Sequence, residues 1–434
     1  MSAPTGLSKI RFGTDGWRAV IAEDFTFCNL ERVAQAYASF LQERAGSASS
    51  VGNSTASPSL VIIGYDRRFL SEHFAARASE VLAGNGFRVA LFPESVPTPL
   101  VSWAVREMRA AGGIVITASH NPPEFNGFKI KAPWGGSATA ETTSAVEALV
   151  DAHAVRREPL ASSDARAFYE ECVESYRAQI AAYINLERLR ATPLRVVVDS
   201  MHGSGVRWVE SFLKGGALEV ETIRAGRDVL FGGVNPEPID RNLQSLKNRV
   251  RETGATLGLA TDGDADRVGA VNELGETMTM HEVVPLILLH LARHRGMRGG
   301  VVRTFSQSVL TKRISEAHKL PLFETPIGFK YVADLMLREN ILIGAEESGG
   351  IGVAGHIPER DGILNSLLLL EAVVTAGKTP SEMVRDMHRE FGEFYFNRRD
   401  LHMPVERGLS LVSALAHQSP SQIAGYKVAR VETL

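Results

Sequence analysis

The sequence predicts an α/β protein in which three similar domains with mixed or parallel sheets are followed by a shorter C-terminal segment. Three short apolar runs support this fold class, and each is followed by a polar or glycine-rich turn and a helical pattern. They are Leu60–Gly64, Leu194–Asp199 and Gly300–Thr304. Short apolar strands that alternate with helices are typical of buried sheets covered by helices, and their recurrence indicates similar units. A chain of 434 residues has room for about three such domains.

The composition is that of an ordinary globular protein and argues against several function classes. Apolar residues make up 44% and charged residues 22% of the chain, and the net charge is −3. That charge gives no reason to expect nucleic acid or an anionic membrane as a partner, so an anionic substrate would need a local cluster of arginine and lysine. No apolar run reaches the ~18 residues of a membrane span. Cys28 and Cys172 form no disulfide framework, and we expect a cytoplasmic protein.

The N-terminal elements follow from the spacing of apolar residues. Apolar side chains at helical intervals from Leu30 to Leu41 predict a helix over 29–44. The small polar residues that follow, 45–59, predict an exposed insertion. A second helical pattern, over 165–187, is expected to cross from the first domain into the second.

A helix start is also evident near the C-terminus. Thr379 as N-cap, Pro380 at the first helical position and Glu382 at the third form a capping box. Residues 375–378 before it are expected to form a hinge. The chain ends in an alternating, strand-like stretch over 425–431.

The first candidate for chemistry is the serine loop, residues 117–123. An apolar strand enters it, and the two prolines that end it prevent continuation as strand or helix. Such a turn would leave the Ser119 hydroxyl exposed and rigidly aimed, as a phosphoryl carrier must be. Lys129 follows closely enough to neutralise charge on a transferring phosphoryl group. By itself, however, such a loop is more often a plain turn.

The second candidate is the aspartate loop, residues 262–267. Asp262, Asp264 and Asp266 can converge on one cation, and oxygen ligands favour a hard ion such as Mg²⁺ or Ca²⁺. A calcium EF-hand is the rival interpretation, because Glu273 stands at the twelfth position. Arg267 occupies the position that requires glycine, and the flanking runs are strand-like, so we reject the EF-hand.

Three further segments offer groups that suit a phosphorylated sugar. The polyol loop, residues 346–350, combines adjacent carboxylates with a hydroxyl and glycines, and carboxylates accept hydrogen bonds from vicinal hydroxyl groups. Residues 12–18 place an arginine on a tight turn, and residues 325–330 place a lysine after a strand. The candidate substrate-binding residues are Glu346, Glu347, Ser348, Lys330 and Arg303.

The motifs FGTDGWR, TASHNPPEFNGFKI, DGDADR and EESGG occur in this order. In this combination the chain resembles the α-D-phosphohexomutase superfamily, from about residue 10 to about residue 390. The resemblance implies three similar mixed-sheet α/β domains and a fourth domain around a central cleft. The domains are expected at 1–156, 157–261, 262–376 and 377–434.

The resemblance also implies a mechanism. Phosphorylated Ser119 would donate its phosphoryl group to a sugar monophosphate, the bisphosphate would turn over in the cleft, and the serine would reclaim the other phosphate. Glucose 1,6-bisphosphate is then the intermediate and activator. His120 would act as acid/base or as a local orienter, and Glu346 and Ser348 would bind sugar hydroxyls. Mg²⁺ would be held by Ser119, Asp262, Asp264 and Asp266, and Arg18, Lys129 and Arg267 would surround the transferring group.

The polyol loop separates sugar specificities among such enzymes. Phosphoglucomutases tend to have Glu-Glu-Ser, whereas phosphomannomutases and phosphoglucosamine mutases often have a histidine where this chain has Gly350. The segments TPIGFK and PERDG are also similar to the glucose branch. We therefore expect interconversion of glucose 1-phosphate and glucose 6-phosphate, with mannose as the alternative.

One family feature is missing from the sequence. The fourth domain ordinarily has a phosphate-binding loop of the form R-x-S-G-T-E-P, which does not occur here. We therefore expect an incomplete fourth domain and a truncated form with impaired turnover as one alternative. The others are a glucose-1,6-bisphosphate synthase and a non-catalytic sugar-phosphate sensor. The expected partners are sugar phosphates, without nucleic acid or membrane, and the expected state is monomer or dimer.

Overall fold

The structure, a computed structural model, describes residues 9–13, 15–49, 59–160, 165–396 and 403–428. It divides into a large unit, Met1–Gly392, and a small unit, Glu393–Leu434. The large unit contains three separate sheets and the helices that pack on them.

The first sheet has five strands in the order β1-β5-β4-β2-β3. Strands β2, β3 and β4 are parallel, and β5 and β1 add antiparallel pairs at one edge. Its elements in chain order are β1 (Trp17–Val20), α1 (Phe27–Ser49), β2 (Leu60–Tyr65), α2 (Ser71–Gly84), β3 (Arg88–Leu91), α3 (Thr98–Glu107), β4 (Gly112–Ile116), β5 (Phe125–Lys131) and α4 (Ala140–Ala148).

The second sheet repeats this pattern in the order β10-β9-β8-β6-β7. Strands β6, β7 and β8 are parallel, and β9 and β10 are antiparallel additions. Its elements are α5 (Ala165–Tyr183), α6 (Leu186–Ala191), β6 (Arg195–Asp199), α7 (Trp208–Leu213), β7 (Glu219–Ile223), short 3₁₀ turns at Phe231–Gly233 and Asp240–Asn242, α8 (Gln244–Thr253), β8 (Leu257–Thr261), β9 (Val268–Val271) and β10 (Thr277–Met278).

The third sheet has four strands in the order β12-β11-β13-β14, again with three parallel strands and one antiparallel edge. Its elements are α9 (Met280–Leu289), a π-helical turn (His290–His294), β11 (Gly300–Thr304), α10 (Val309–Ala317), β12 (Leu322–Thr325), α11 (Phe329–Arg338), β13 (Ile341–Ala345), β14 (Ile351–Val353), α12 (Gly362–Ala376) and α13 (Pro380–Phe391).

The three sheets confirm the predicted repeat of α/β domains. The apolar runs that predicted it form β2, β6 and β11, each of which is flanked on both sides by parallel neighbours. The serine loop joins β4 to β5, the aspartate loop joins β8 to β9, and the polyol loop joins β13 to β14. All three loops therefore occupy the same place in the repeat, between the last parallel strand and the antiparallel edge.

Two expected domain boundaries do not match the sheets. The boundary between 261 and 262 separates β8 from β9, which are hydrogen-bonded neighbours in one sheet. We propose instead that the second domain extends through β10. The boundary between 376 and 377 separates α13 from the helices on which it packs, α9, α10 and α12, so α13 belongs with the third sheet. In both cases, pairing and packing between distant segments override the turn that the sequence shows.

Several helix ends also differ from expectation. Helix α1 continues through Ser49, five residues beyond the expected end, and the rest of the predicted insertion lies largely outside the described residues. The helix expected over 165–187 is broken after Tyr183, because Asn185 caps a separate helix through its side chain. The capping box at Thr379 is present as predicted, and α12 ends at Ala376, followed by Gly377 with φ 61°.

The small unit is described over residues 393–396 and 403–428. It contains α14 (Val405–His417), β15 (Gln422–Ile423) and β16 (Tyr426–Lys427), which pair antiparallel. The strand expected over 425–431 is present at Tyr426–Lys427, and its last residues lie outside the described part.

Helix α12 is the most buried helix described, with every residue from Gly362 to Val374 inaccessible or nearly so. It packs on α9, β8 and β9 and thereby joins the second and third domains. Among the described residues, no single helix has the length and apolarity of a membrane span. Helices α12 and α13 meet that test only when taken together, and they are bent by 77° at their junction.

Candidate active site

The serine, aspartate and polyol loops meet where the three sheets adjoin. The Ser119 hydroxyl donates a hydrogen bond to Asp262 Oδ2 at 2.8 Å. On the other side of the aspartate loop, the Val268 amide donates to the Gly349 carbonyl at 3.1 Å, and Arg267 forms a β-bridge with Gly350. The repeat accounts for this arrangement, because each loop follows the carboxyl end of the last parallel strand in its sheet.

Ser119 lies at the tip of the serine loop in an uncommon backbone conformation. Its φ is +54°, and only 1% of its surface is exposed. A non-glycine residue in the left-handed region is strained and persists only when its surroundings hold it there. The prediction of an exposed hydroxyl is therefore wrong, because the aspartate loop packs over the serine and its hydroxyl is buried against Asp262.

The residues of the aspartate loop fit a divalent cation. Asp262, Asp264 and Asp266 are fully buried, and one ligand atom from each lies within 4.8 Å of the others. The Oδ1 atoms of Asp264 and Asp266 have no hydrogen-bond partner among the described residues. Buried carboxylate oxygens without donors are costly, and a hard cation would satisfy them. The oxygen-only donor set therefore fits Mg²⁺.

The three carboxylates differ in their electrostatic surroundings. Burial, together with the nearby charges of Asp266 and Asp264, raises the pKa of Asp262 well above its usual range. Burial also opposes ionisation of Asp264, but the Lys129 ammonium and the hydroxyl of Thr98 hold its pKa below the usual range. A cation near Asp262 would remove the repulsion that disfavours its charged form.

Lys129, which lies on β5 of the first sheet, forms ion pairs with the aspartate loop. Its buried ammonium lies 2.8 Å from Asp264, 3.1 Å from Asp266 and 2.9 Å from Asp15. Burial alone would lower the pKa of Lys129, but these three carboxylates raise it above its ordinary value. The lysine is therefore charged and supplies positive potential beside the metal ligands.

A cavity of about 180 Å³ opens beside these loops. It brings together six of the residues predicted from the sequence. Arg18 hydrogen-bonds Asn121 of the serine loop at 2.8 Å, and Glu346 accepts from the Gly328 amide at 3.1 Å. Burial raises the pKa of Glu346, although Arg360 and Arg267 oppose the shift. The predicted residues that line the cavity are Arg18, His120, Arg267, Lys330, Glu346 and Ser348.

Two predicted substrate-binding residues lie outside this cavity lining. Arg303 donates to the carbonyls of Gln307 and Ser308 and pairs with Glu324, so its guanidinium braces the turn after β11. Glu347 follows Glu346 in the chain but is not among the residues that line the cavity. Adjacent residues in a loop point in different directions, which the sequence pattern alone could not resolve.

His120 stands next to the serine hydroxyl. Its Nδ1 is 3.4 Å from Ser119 Oγ. Burial, followed by the positive charges of Arg267, Arg18 and Lys129, lowers the pKa of His120 to about 2. The ring is therefore neutral at pH 7.

The structure adds residues to which the sequence assigned no role. Arg360 lies 2.7 Å from Asp15 and 2.9 Å from Asp266, and it lines the cavity. Thr98 holds Asp264 by two hydrogen bonds, from its hydroxyl at 2.6 Å and from its amide to the Asp264 carbonyl at 2.9 Å. Asp15 and Arg360 belong to motifs already noted, FGTDGWR and PERDG, whereas Thr98 stands in no such motif.

Family models match most of the large unit. The alpha/beta/alpha domains I, II and III of phosphoglucomutase/phosphomannomutase match residues 9–157, 174–275 and 280–391. The second match ends at residue 275, which agrees with a second domain that includes β9.

Individual relatives agree on the family but differ in name. A phosphoglucomutase/phosphomannomutase from Thermococcus kodakarensis is 28% identical over 420 residues, covering 96% of this chain and 87% of the relative. A phosphoglucosamine mutase from Novosphingobium aromaticivorans is 32% identical over 75% of this chain and 72% of its own length. A crystal structure from Thermus thermophilus, described provisionally as a phosphomannomutase, is 40% identical, with a TM-score of 0.81 over 89% of this chain and 85% of its own. The chain therefore belongs to the phosphoglucomutase/phosphomannomutase family of the α-D-phosphohexomutase superfamily and is a phosphohexomutase.

Proposed function

We propose that this phosphohexomutase is a Mg²⁺-dependent phosphoglucomutase that interconverts glucose 1-phosphate and glucose 6-phosphate through phosphorylated Ser119. The observation that supports it most is the 2.8 Å hydrogen bond between Ser119 and Asp262, which joins a candidate phosphoryl carrier to a candidate metal site. A cavity beside the pair combines arginines for phosphate with the polyol loop for sugar hydroxyls.

The proposed cycle has two phosphoryl transfers. In the first, a hydroxyl oxygen of the sugar monophosphate attacks the phosphorus on Ser119, so a new sugar P–O bond forms while the bond to Oγ breaks. The sugar hydroxyl loses a proton and Oγ gains one. His120 Nδ1, 3.4 Å from Oγ, is one candidate to pass that proton, and Asp262 Oδ2 lies nearer, at 2.8 Å. In the second transfer, Oγ attacks the other phosphate of the bisphosphate, and the proton returns to the released sugar oxygen.

Ser119, Asp262, Asp264 and Asp266 would hold the Mg²⁺ ion, which when bound neutralises charge on the phosphoryl oxygens. Arg18 and Arg267 line the cavity and suit bidentate contacts with phosphate oxygens. Lys129 pairs with Asp264 and Asp266, and its charge helps to hold the pKa of Asp264 below the usual range.

The sequence of the polyol loop favours glucose, and the structure gives a steric reason for its last glycine. A side chain at Gly350 would overlap the Cδ of Arg360, so glycine here and arginine at 360 are sterically linked. The cavity is thus lined by Glu346, Ser348 and Arg360, and Gly350 stands at the position where the other subgroups often have a histidine. Because named relatives include phosphomannomutases and phosphoglucosamine mutases, mannose 1-phosphate and glucosamine 1-phosphate are the alternatives to exclude.

The test compares glucose, mannose and glucosamine 1-phosphates as substrates, each with Mg²⁺ and a trace of glucose 1,6-bisphosphate. We expect the highest kcat/KM with glucose 1-phosphate, no turnover after chelation of Mg²⁺, and loss of activity in Ser119→Ala. A higher kcat/KM with mannose would assign the chain to the alternative. Full activity in Ser119→Ala would refute the phosphoserine mechanism, and accumulation of bisphosphate would identify a glucose-1,6-bisphosphate synthase.

A further inference from the structure

Arg68 is the largest fully buried side chain described, and it lies beneath the serine loop, away from the substrate cavity. We propose that Arg68, together with Asp66 and Thr117, is a positioning device that holds Ser119 in its left-handed conformation and thereby sets the rate of phosphoryl transfer. This inference rests on the proposed role of Ser119 as the phosphoryl carrier.

The guanidinium of Arg68 donates hydrogen bonds to four main-chain carbonyls, three in the serine loop and one at Phe125, where β5 begins. Its Nη2 donates to the carbonyls of Ser119 at 2.7 Å and Asn121 at 2.6 Å. Its Nη1 donates to those of Pro122 at 2.7 Å and Phe125 at 3.0 Å. One planar group therefore fixes the orientation of four peptide units, from the loop tip at Ser119 to the start of β5.

A second set of hydrogen bonds holds the other side of Ser119. Its amide donates to the Thr117 hydroxyl at 2.8 Å, and that hydroxyl donates to Asp66 Oδ2 at 2.6 Å. The remaining oxygen of Asp66 accepts from the Arg68 amide at 3.0 Å and from the Ser71 hydroxyl at 2.8 Å. The segment that follows β2 thus holds the carbonyl of Ser119 directly, through Arg68, and its amide indirectly, through Thr117 and Asp66.

This arrangement explains how Ser119 keeps a φ of +54°. Its side chain is directed to the aspartate loop, where Oγ meets Asp262 at 2.8 Å. Such a backbone conformation is maintained only where surrounding contacts determine it. If the carbonyl of Ser119 lost its donor, the peptide could rotate toward an ordinary conformation and move Oγ away from the metal site.

The second domain covers the device from outside. The ring of Phe231 lies over the Arg68 guanidinium, with its centroid 5.0 Å from Cζ. Arg227 donates to the main-chain carbonyl of Arg68 at 3.1 Å. These contacts exclude water from the guanidinium, so water cannot take the place of a lost donor. A lysine ammonium cannot reach four carbonyls in one plane, and lysine therefore cannot replace Arg68.

The device acts through the backbone of Ser119, and it should therefore affect phosphoryl transfer and not sugar-phosphate binding. Misplacing a reacting atom by about 1 Å can cost roughly 100-fold in rate. Loss of an interaction made equally in the ground state and the transition state would instead raise KM and leave kcat unchanged.

The experiment measures single-turnover phosphorylation of Ser119 by glucose 1,6-bisphosphate with Mg²⁺, followed by intact mass, and kcat and KM for glucose 1-phosphate. We expect Arg68→Lys to slow phosphorylation roughly 100-fold while KM changes less than about threefold. The matched control is Arg77→Lys on α2, where the arginine pairs with Glu31 at a partly exposed site; it should behave as wild type. Phosphorylation within about threefold of wild type in Arg68→Lys, or a change confined to KM, would overturn the proposal.

A second pair of variants decides the matter if Arg68→Lys fails to fold. Thr117→Val removes the hydroxyl that joins the Ser119 amide to Asp66, whereas Thr117→Ser keeps it. We expect Thr117→Val to slow phosphorylation at least about tenfold and Thr117→Ser to restore it. Equal rates in both variants would overturn the proposal. Absence of phosphorylation in the wild type would refute the proposed function itself, which distinguishes the two failures.

Discussion

Gly263 is the residue at which the aspartate loop packs against the serine loop. A Cβ at this position would overlap the carbonyl oxygen of Ser119, and it would also approach Pro236 Cγ at 3.1 Å. The close approach of the two backbones, and with it the 2.8 Å contact between Ser119 and Asp262, requires glycine here. The sequence shows this glycine inside an acidic motif but not the carbonyl that it faces.

We therefore predict that Gly263→Ala separates the two loops and lowers kcat by roughly 100-fold. Gly226→Ala is the control, because a Cβ there would meet nothing within 4 Å. Steady-state kinetics of both variants, with thermal unfolding to confirm that each is folded, check this expectation. Unchanged kcat in Gly263→Ala would show that the loops tolerate separation.

The two cysteines offer a second prediction at this scale. Cys28 is exposed, whereas Cys172 is buried in α5, and burial raises the pKa of its thiol to about 12. Because the thiolate is the reactive form, a thiol reagent at pH 8 should label one cysteine in the native protein and two after denaturation. Peptide mapping should find the native label on Cys28. Labelling of Cys172 without denaturant would mean that α5 opens readily.

At the scale of elements, α5 of the second domain is joined to the start of α12 in the third. The Tyr176 hydroxyl donates to Asp361 Oδ2 at 2.8 Å, and His356 lies 2.9 Å from the same oxygen. The other oxygen of Asp361 caps α12 by accepting from the Ile363 and Leu364 amides, both at 2.9 Å. One carboxylate therefore starts a buried helix and holds two elements together.

This junction predicts a loss of stability at alkaline pH. Burial, and then the charge of Asp361, raises the pKa of Tyr176 well above 10. The unfolded chain ionises this phenol near pH 10, whereas the folded protein keeps it neutral. The contribution to the free energy of unfolding is therefore complete below pH 10 and falls as pH rises above it. Denaturant titrations from pH 8 to 11 should show that the free energy of unfolding falls less in Tyr176→Phe than in wild type. The same dependence of that free energy on pH in both proteins would contradict the prediction.

At the scale of the whole large unit, a buried ion pair joins the first domain to the third. The Lys131 ammonium on β5 lies 2.7 Å from Glu359, and both side chains are fully buried. The Ser137 hydroxyl also donates to Glu359, and Arg360 next to it reaches Asp15 and Asp266. Active-site geometry thus depends on contacts that cross the domains.

We predict that Glu359→Leu lowers the free energy of unfolding by about 3–5 kcal/mol, because it leaves the Lys131 charge buried and unpaired. The double variant Lys131→Met/Glu359→Leu should recover most of that loss, since apolar replacement of both partners removes the unpaired charge. Chemical denaturation of the wild type, the two single variants and the double variant gives the coupling energy. A double variant as unstable as Glu359→Leu would mean that the instability comes from lost packing and not from the unpaired charge of Lys131.

Local patterns in the sequence were sufficient to predict the main helices and strands and to identify the three loops. Strands β2, β6 and β11 are each built around a short apolar run, and the capping box at Thr379 needs only neighbouring residues. Domain boundaries were less accessible, because the pairing of β8 with β9 and the packing of α13 join segments that a turn separates in the sequence. Likewise, Arg303 resembled a substrate-binding cation until its partners in the turn after β11 were known.

By itself, the sequence determined the α/β class, the repeated unit, the family and the residue types available for chemistry, since these depend on local spacing and on motifs. Only the tertiary structure decided which side chains share the site. It brought Asp15, Thr98 and Arg360 to the aspartate loop and placed Arg68 beneath Ser119. The physical reason is that burial, ion pairing and a left-handed serine are set by contacts between residues far apart in the chain, and these contacts form only when the three sheets pack together.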